Sequence, residues 1–129
     1  MAHPNEDLVR RGYAAFGQGD MQTLDELFTD DIEWHAPGNS PVSGDFTGKP
    51  DVFGLFGRLG ELSGGSLHLE LHDVLANDQH AVGLGHATAQ RDGRQLDDNQ
   101  VIVFHLSGGK VSSAWVHTSD QQANDAFWS

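Results

Sequence analysis

A chain of 129 residues with 37% hydrophobic content is long enough for one domain, residues 1–129, that buries roughly two-thirds of its unfolded surface around a single core. Its net charge of −12 makes a surface that repels phosphate backbones and anionic headgroups, so neither nucleic acid nor membrane is an expected partner. No cysteine is present, which excludes disulfides and thiolate metal sites; with no signal-peptide pattern and no apolar run of ~20 residues, a soluble cytoplasmic protein is the expectation.

In chain order, Asn5 is placed to cap a first helix, with Glu6 and Asp7 in its first turn and Val9, Tyr13 and Phe16 along one apolar stripe. Gly17 and Gly19 end it. Asp20 is placed to cap a second, shorter helix carrying Leu24, Leu27 and Phe28, closed by Asp30-Asp31. Ile32 to His35 reads as a short strand, and residues 36–49, with two prolines and three glycines, read as loop. Pro50 suits the first turn of a third helix whose stripe is Val52, Leu55, Phe56, Leu59 and Leu62. Gly54, Gly57 and Gly60 recur in that helix, either for close backbone packing or as a poorly optimised sequence.

From Leu67 the period changes from helical to alternating. Leu67, Leu69 and Leu71 alternate with His68, Glu70 and His72 in a strand with one buried face. Asn77-Asp78 turns into a second strand near His80 to Arg91, and Asp92-Gly93 is a strong hairpin signal before a third, Gln95 to Leu106. Ser107-Gly108-Gly109 leads to a fourth, Lys110 to Thr118, and Asp120 is placed to cap a last helix ending near Trp128. Helices followed by an antiparallel meander make an α+β fold, with the helices laid across one curved face of the sheet and a cavity between the layers.

A two-residue turn at Asp92-Gly93 sets residues summing to about 185 opposite one another. It pairs His86 with Asn99, Leu84 with Val101 and Val82 with Val103. A bulge at the next turn brings Asn99 near His117 and Val101 near Trp115. His86, Asn99 and His117 then form a polar row on an otherwise apolar face, expected to be the concave side, where a small-molecule site needs such groups. His35, beside Trp34 and just before the Pro37-Gly38 turn, is the further candidate. His3, His68 and His72 read as exposed or convex-face residues, and His80 and His105 as lying too far along the strands. On this assignment Ala81, Gly83, Gly85, Ala87 and Ala89 fall on the convex face as a flat surface for a second subunit. Metal binding is poorly supported: there is no His-Glu-x-x-His, and His68 and His72, four apart on a strand, stand ~13 Å apart.

Several segments together resemble the SnoaL-like branch of the nuclear-transport-factor-2-like superfamily, which includes ketosteroid isomerases and polyketide cyclases. They are Ala14-Ala15-Phe16 with Gly19-Asp20, Leu27-Phe28-Thr29-Asp30-Asp31, Trp34-His35-Ala36-Pro37-Gly38, Gly44-Asp45-Phe46 with Gly48, Gly109-Lys110-Val111, and Asp120-Gln121 to Phe127-Trp128. The resemblance spans nearly the whole chain and implies a cone-shaped α+β barrel, helices packed on a curved, mostly antiparallel sheet, a pocket at the open end and a homodimer. The isomerases' carboxylate base would fall at His35 or Ala36, their helix-one tyrosine at or beside Gly12 and Tyr13, and their oxyanion-binding aspartic acid at Val101. The Arg-x-Asp pattern of limonene-type epoxide hydrolases is absent.

The expected function is an isomerase or cyclase acting by proton transfer on a hydrophobic carbonyl compound; the alternative is a non-catalytic ligand-binding or accessory protein of the same fold. In the catalytic scheme His35 is the base, and Asn99 or a protonated His86 or His117 is the donor to the enolate. Tyr13, Phe16, Trp34, Phe53, Phe56, Leu84, Val101 and Trp115 are the expected ligand contacts. No metal and no organic cofactor are expected.

Overall fold

A computed structural model describes residues 3–129. The elements run α1 (Pro4–Gln18), α2 (Met21–Leu27), β1 (Phe28–Ala36), β2 (Gly44–Thr47), α3 (Lys49–Leu62), β3 (His68–Ala76), β4 (His80–Arg91), β5 (Arg94–Ser107), β6 (Lys110–Thr118) and α4 (Gln121–Trp128).

Local chemistry sets the helix ends. Pro4 takes the first helical position of α1, so the cap is His3, whose Nδ1 accepts from the Asn5 N–H at 3.1 Å, and not Asn5 itself. The Asn5 amide instead donates to the Asn77 and Asp78 carbonyls, tying α1 to the β3–β4 turn. Asp20 caps α2 as expected: it accepts from the Thr23 N–H and hydroxyl, and those bonds hold its carboxyl below the usual carboxylate range. Asp120 caps α4 in the same way through the Ala123 N–H.

The six strands form one sheet in the order β2-β1-β6-β5-β4-β3. Every neighbouring pair is antiparallel except β1 with β6, which run parallel. The strand boundaries depart from the sequence reading in two places. The segment read as loop contains the edge strand β2, paired with β1 through Trp34–Phe46 and His35–Asp45. And β1 starts at Phe28, so that residue leaves α2 for the sheet.

The β4–β5 hairpin has the expected register, with His86 opposite Asn99 and Leu84 opposite Val101. Asp92 and Gly93 both take positive φ, 49° and 78°, which a type I′ turn requires. Between β5 and β6 the register is shifted by two residues from the expected one: Val101 faces His117 and Val103 faces Trp115. A shift of two keeps every side chain on its face.

What changes is which face meets the helices. Ala81, Ala87 and Ala89 are buried beneath them, and Gly83 lies directly under Tyr13 of α1: a Cβ there would fall 2.9 Å from Tyr13 ring carbons. The small residues of β4 therefore face the helices, with α1 resting on Gly83, and do not form a convex surface. Desolvation at this contact pushes the Tyr13 phenol well above its ordinary pKa. Ile32, Val52, Phe56, Ile102, Phe104 and Ala114 continue the core between helices and sheet. Gly54, Gly57 and Gly60 of α3 have open space where a Cβ would stand, so close packing does not explain them.

Candidate functional site

Between the helices and the inner face of the sheet lies a cavity of about 100 Å³. Phe16, Leu55, Phe56 and Leu59 come to it from the helices, and Trp34, Ile102 and Val116 from the strands. Trp34 meets Phe56 edge-on at 5.0 Å and Phe56 meets Phe16 edge-on at 5.2 Å, a packed aromatic wall.

Its polar groups gather at one side: Gln100 on β5, Thr118 opposite it on β6, and Asn124 on the inner face of α4. The Thr118 hydroxyl donates to Gln121 Oε1 at 2.8 Å. The Gln100 and Asn124 side-chain amides are engaged by no partner among the described residues, so both are available to a ligand. No described residue lining this cavity is titratable.

One carboxyl lies just behind the polar side. Asp98 shares the inner face of β5 with Leu96 and Gln100, which flank it and both line the cavity. It is 4% exposed; its Oδ1 accepts from the Ser119 N–H at 3.0 Å and hydroxyl at 2.6 Å, while its Oδ2 has no donor among the described residues.

Helix α4 closes this side of the cavity and is fixed at both ends. Gln121 Nε2 donates to the Pro37 carbonyl and to Asp125 Oδ1, and Asp125 Oδ2 accepts from the Asn39 N–H. At the other end Arg91 and Arg94, flanking the hairpin turn, donate to the Phe127, Ser129 and Ala126 carbonyls. The arginines supply the positive charge that a helix C-terminus favours.

The residues singled out from sequence divide between the two faces. Phe16, Trp34 and Phe56 line the cavity. Phe53 stacks on Phe28 at 6.0 Å in the adjoining core, and Tyr13 borders a smaller hollow under α1. His35, Leu84, His86, Asn99, Val101, Trp115 and His117 stand on the outer face, away from the helices. This corrects their expected concave placement: they share one face, with His86 opposite Asn99 but His117 opposite Val101, and the helices cover the other side.

On that outer face His35 stacks on Trp115 at 4.9 Å, Trp115 meets His105 at 4.6 Å, and His105 meets His80 at 4.6 Å. His35 Nδ1 lies 2.7 Å from Asp45 Oδ1. His86 is held at both ring nitrogens, Nδ1 by Asn99 Oδ1 at 2.8 Å and Nε2 by Asp97 Oδ1 at 2.7 Å. The Asn99 bond, then the charge and hydrogen bond of Asp97 and the charge of Glu70, raise its pKa above the ordinary value. Among the described residues no three His, Asp or Glu side chains group to hold a metal ion. No helix of the described residues is long and apolar enough to cross a membrane.

The comparisons agree with this architecture. The chain is 32% identical over 123 residues to Mb0035, an uncharacterised protein of Mycobacterium bovis, over 95% of this chain and 94% of that one. Among solved structures it is similar to Bal32a, from a soil-derived mobile gene cassette, at 42% identity and a TM-score of 0.95, covering 98% and 97% of the two chains. A Jannaschia sp. CCS1 protein named for SnoaL-like polyketide cyclases shares the fold alone, at 18% identity and a TM-score of 0.81 over 98% and 92%. The SnoaL-like domain model matches residues 9–114, so the chain belongs to the SnoaL-like domain family and has its NTF2-like α+β fold.

Proposed function

We propose that the inner cavity takes up a hydrophobic small molecule whose polar end, a carbonyl in the simplest case, meets Gln100 and Asn124. The observation that carries this reading is the segregation of the cavity wall: apolar and aromatic around most of its circumference, with Gln100, Thr118 and Asn124 on one side. Such a wall orients an amphiphilic ligand without any charged group. The test is organic extraction of the purified protein with mass spectrometry, repeated on Val116→Phe, which fills the cavity. A co-purified hydrophobic compound that disappears in Val116→Phe supports the reading; a compound retained equally by both places binding elsewhere.

A second reading is turnover, as an isomerase or cyclase working by proton transfer on such a carbonyl compound. What favours it is the buried Asp98 carboxyl, a proton-exchanging group beside the polar side. The slot before the Pro37 turn that a family base would occupy holds Ala36 toward the cavity, with His35 pointing outward. Proton transfer inside the cavity therefore depends on Asp98 and not on His35. Loss of turnover in Asp98→Asn at saturating ligand supports catalysis; unchanged turnover removes it.

The proposed assembly is a homodimer across the outer sheet face. Half-exposed Val82, Leu84, Val101, Val103 and Trp115 make a contiguous apolar strip there, flanked by histidines, which a second copy would cover.

A further inference from the structure

We infer that Asp98 is a recognition residue of the inner cavity, and that the ligand it selects carries a hydroxyl or enol O–H at its polar end. The inference rests on the cavity being the binding site and adds the class of polar group the ligand must bear.

Asp98 projects from β5 between two residues that line the cavity, and i and i+2 neighbours on a strand stand only about 6.8 Å apart. Its partner across the ladder, Ala87, is fully buried and has no polar side-chain atom to offer. Ser119 satisfies one carboxyl oxygen twice, through backbone and hydroxyl, and thereby fixes the plane of the group. The second oxygen is a buried acceptor with no donor, an arrangement native proteins rarely leave without a purpose. A loop anchor needs only the first oxygen; an asparagine would serve Ser119 as well.

The neighbouring amides of Gln100 and Asn124 can both donate and accept, so they satisfy a carbonyl, an ether or a hydroxyl alike. Asp98 Oδ2 discriminates. As a carboxylate oxygen it gains only from a ligand that donates, and it remains unsatisfied beside a hydrocarbon, an ether or a ketone without an O–H. The Gln100 side chain, which no hydrogen bond holds among the described residues, would open Oδ2 to the cavity by a change of rotamer. A ligand bearing an O–H beside its carbonyl then satisfies the carboxyl and the amides together.

The experiment compares 2-naphthol with 2-methoxynaphthalene, two probes of one ring system that differ in the O–H, by calorimetry on the intact chain and on Asp98→Asn. The asparagine keeps an acceptor for Ser119 and replaces Oδ2 with a donor. Wild type is expected to prefer 2-naphthol by at least about tenfold, the scale of a hydrogen bond to a charged group. Asp98→Asn should bring that ratio close to one through weaker 2-naphthol binding, with 2-methoxynaphthalene unchanged. Ser119→Ala, which removes one of the two bonds that aim the carboxyl, should lower the ratio partway and serves if Asp98→Asn does not fold. Equal binding of both probes to wild type, or an equal loss of both in either variant, overturns the role of Asp98 and leaves the cavity reading intact. Failure of wild type to bind either probe overturns both.

Discussion

His86 on the outer face and Gly83 on the inner face of the same strand show what single residues carry. The Asn99 bond and the negative charges of Asp97 and Glu70 raise the folded-state pKa of His86 above its unfolded value. The interaction is then fully present below about pH 6.5 and is lost as the pH rises through the folded pKa. Following the His86 ring proton by NMR should give a midpoint above the ordinary histidine value, and Asp97→Asn should lower it. A midpoint indifferent to Asp97→Asn would leave the Asn99 bond and the Glu70 charge as the causes. At Gly83 a methyl group meets the Tyr13 ring beneath α1. Gly83→Ala is expected to destabilise by about 1–3 kcal/mol, the usual cost of overpacking, measured by urea unfolding. Little change would mean that the tyrosine moves aside freely.

Among the elements, α4 is the wall of the cavity most open to manipulation, because its C-terminal carbonyls rest on two arginines of the β4–β5 hairpin. Arg91→Ala combined with Arg94→Ala should speed amide exchange in 121–128 and weaken ligand uptake, while exchange in β5 stays slow. Equal loss of protection in both elements would make the arginines anchors of the whole fold. The elements also mark how far the sequence could be read. Alternation along β4 and β5 and the Asp92-Gly93 turn specify which residues share a face, and the His86–Asn99 pairing follows from them. They do not say which face the helices cover. Val82 and Leu84 look like the buried side by hydrophobicity, yet the helices cover Ala81, Gly83, Ala87 and Ala89, and at Gly83 α1 crosses so close that a methyl group would meet Tyr13. The small side chains were the signal of that close crossing. Gln100, between Asn99 and Val101, and Thr118, next to His117, are hidden by the same inversion, whereas Asn124 lies on α4, outside the strand pattern that the sequence reading followed. The four residues of β2 show no alternation of their own and are strand only because β1 is there to pair with them.

For the molecule as a whole, the outer face is where the proposed homodimer is tested. Trp115→Glu at the centre of the apolar strip should shift light scattering at micromolar concentration from twice the chain mass to once, with the far-ultraviolet spectrum retained. Wild type already at the monomer mass would remove the dimer. The parallel pairing of β1 with β6 has a different consequence, in the order of folding events. The β3–β6 meander is joined by short turns, so its contacts close over small loops, whereas β1 meets β6 only across the whole intervening chain, Trp34 against Ala114. Loop closure of that length is slow and is rewarded only once the meander stands as a template. Substitutions in the β4–β5 turn should therefore slow refolding, and cavity-making substitutions at Ile32 should chiefly speed unfolding. The strand that carries Trp34 into the cavity would then be the last to dock, so the binding site is completed only at the final step of folding.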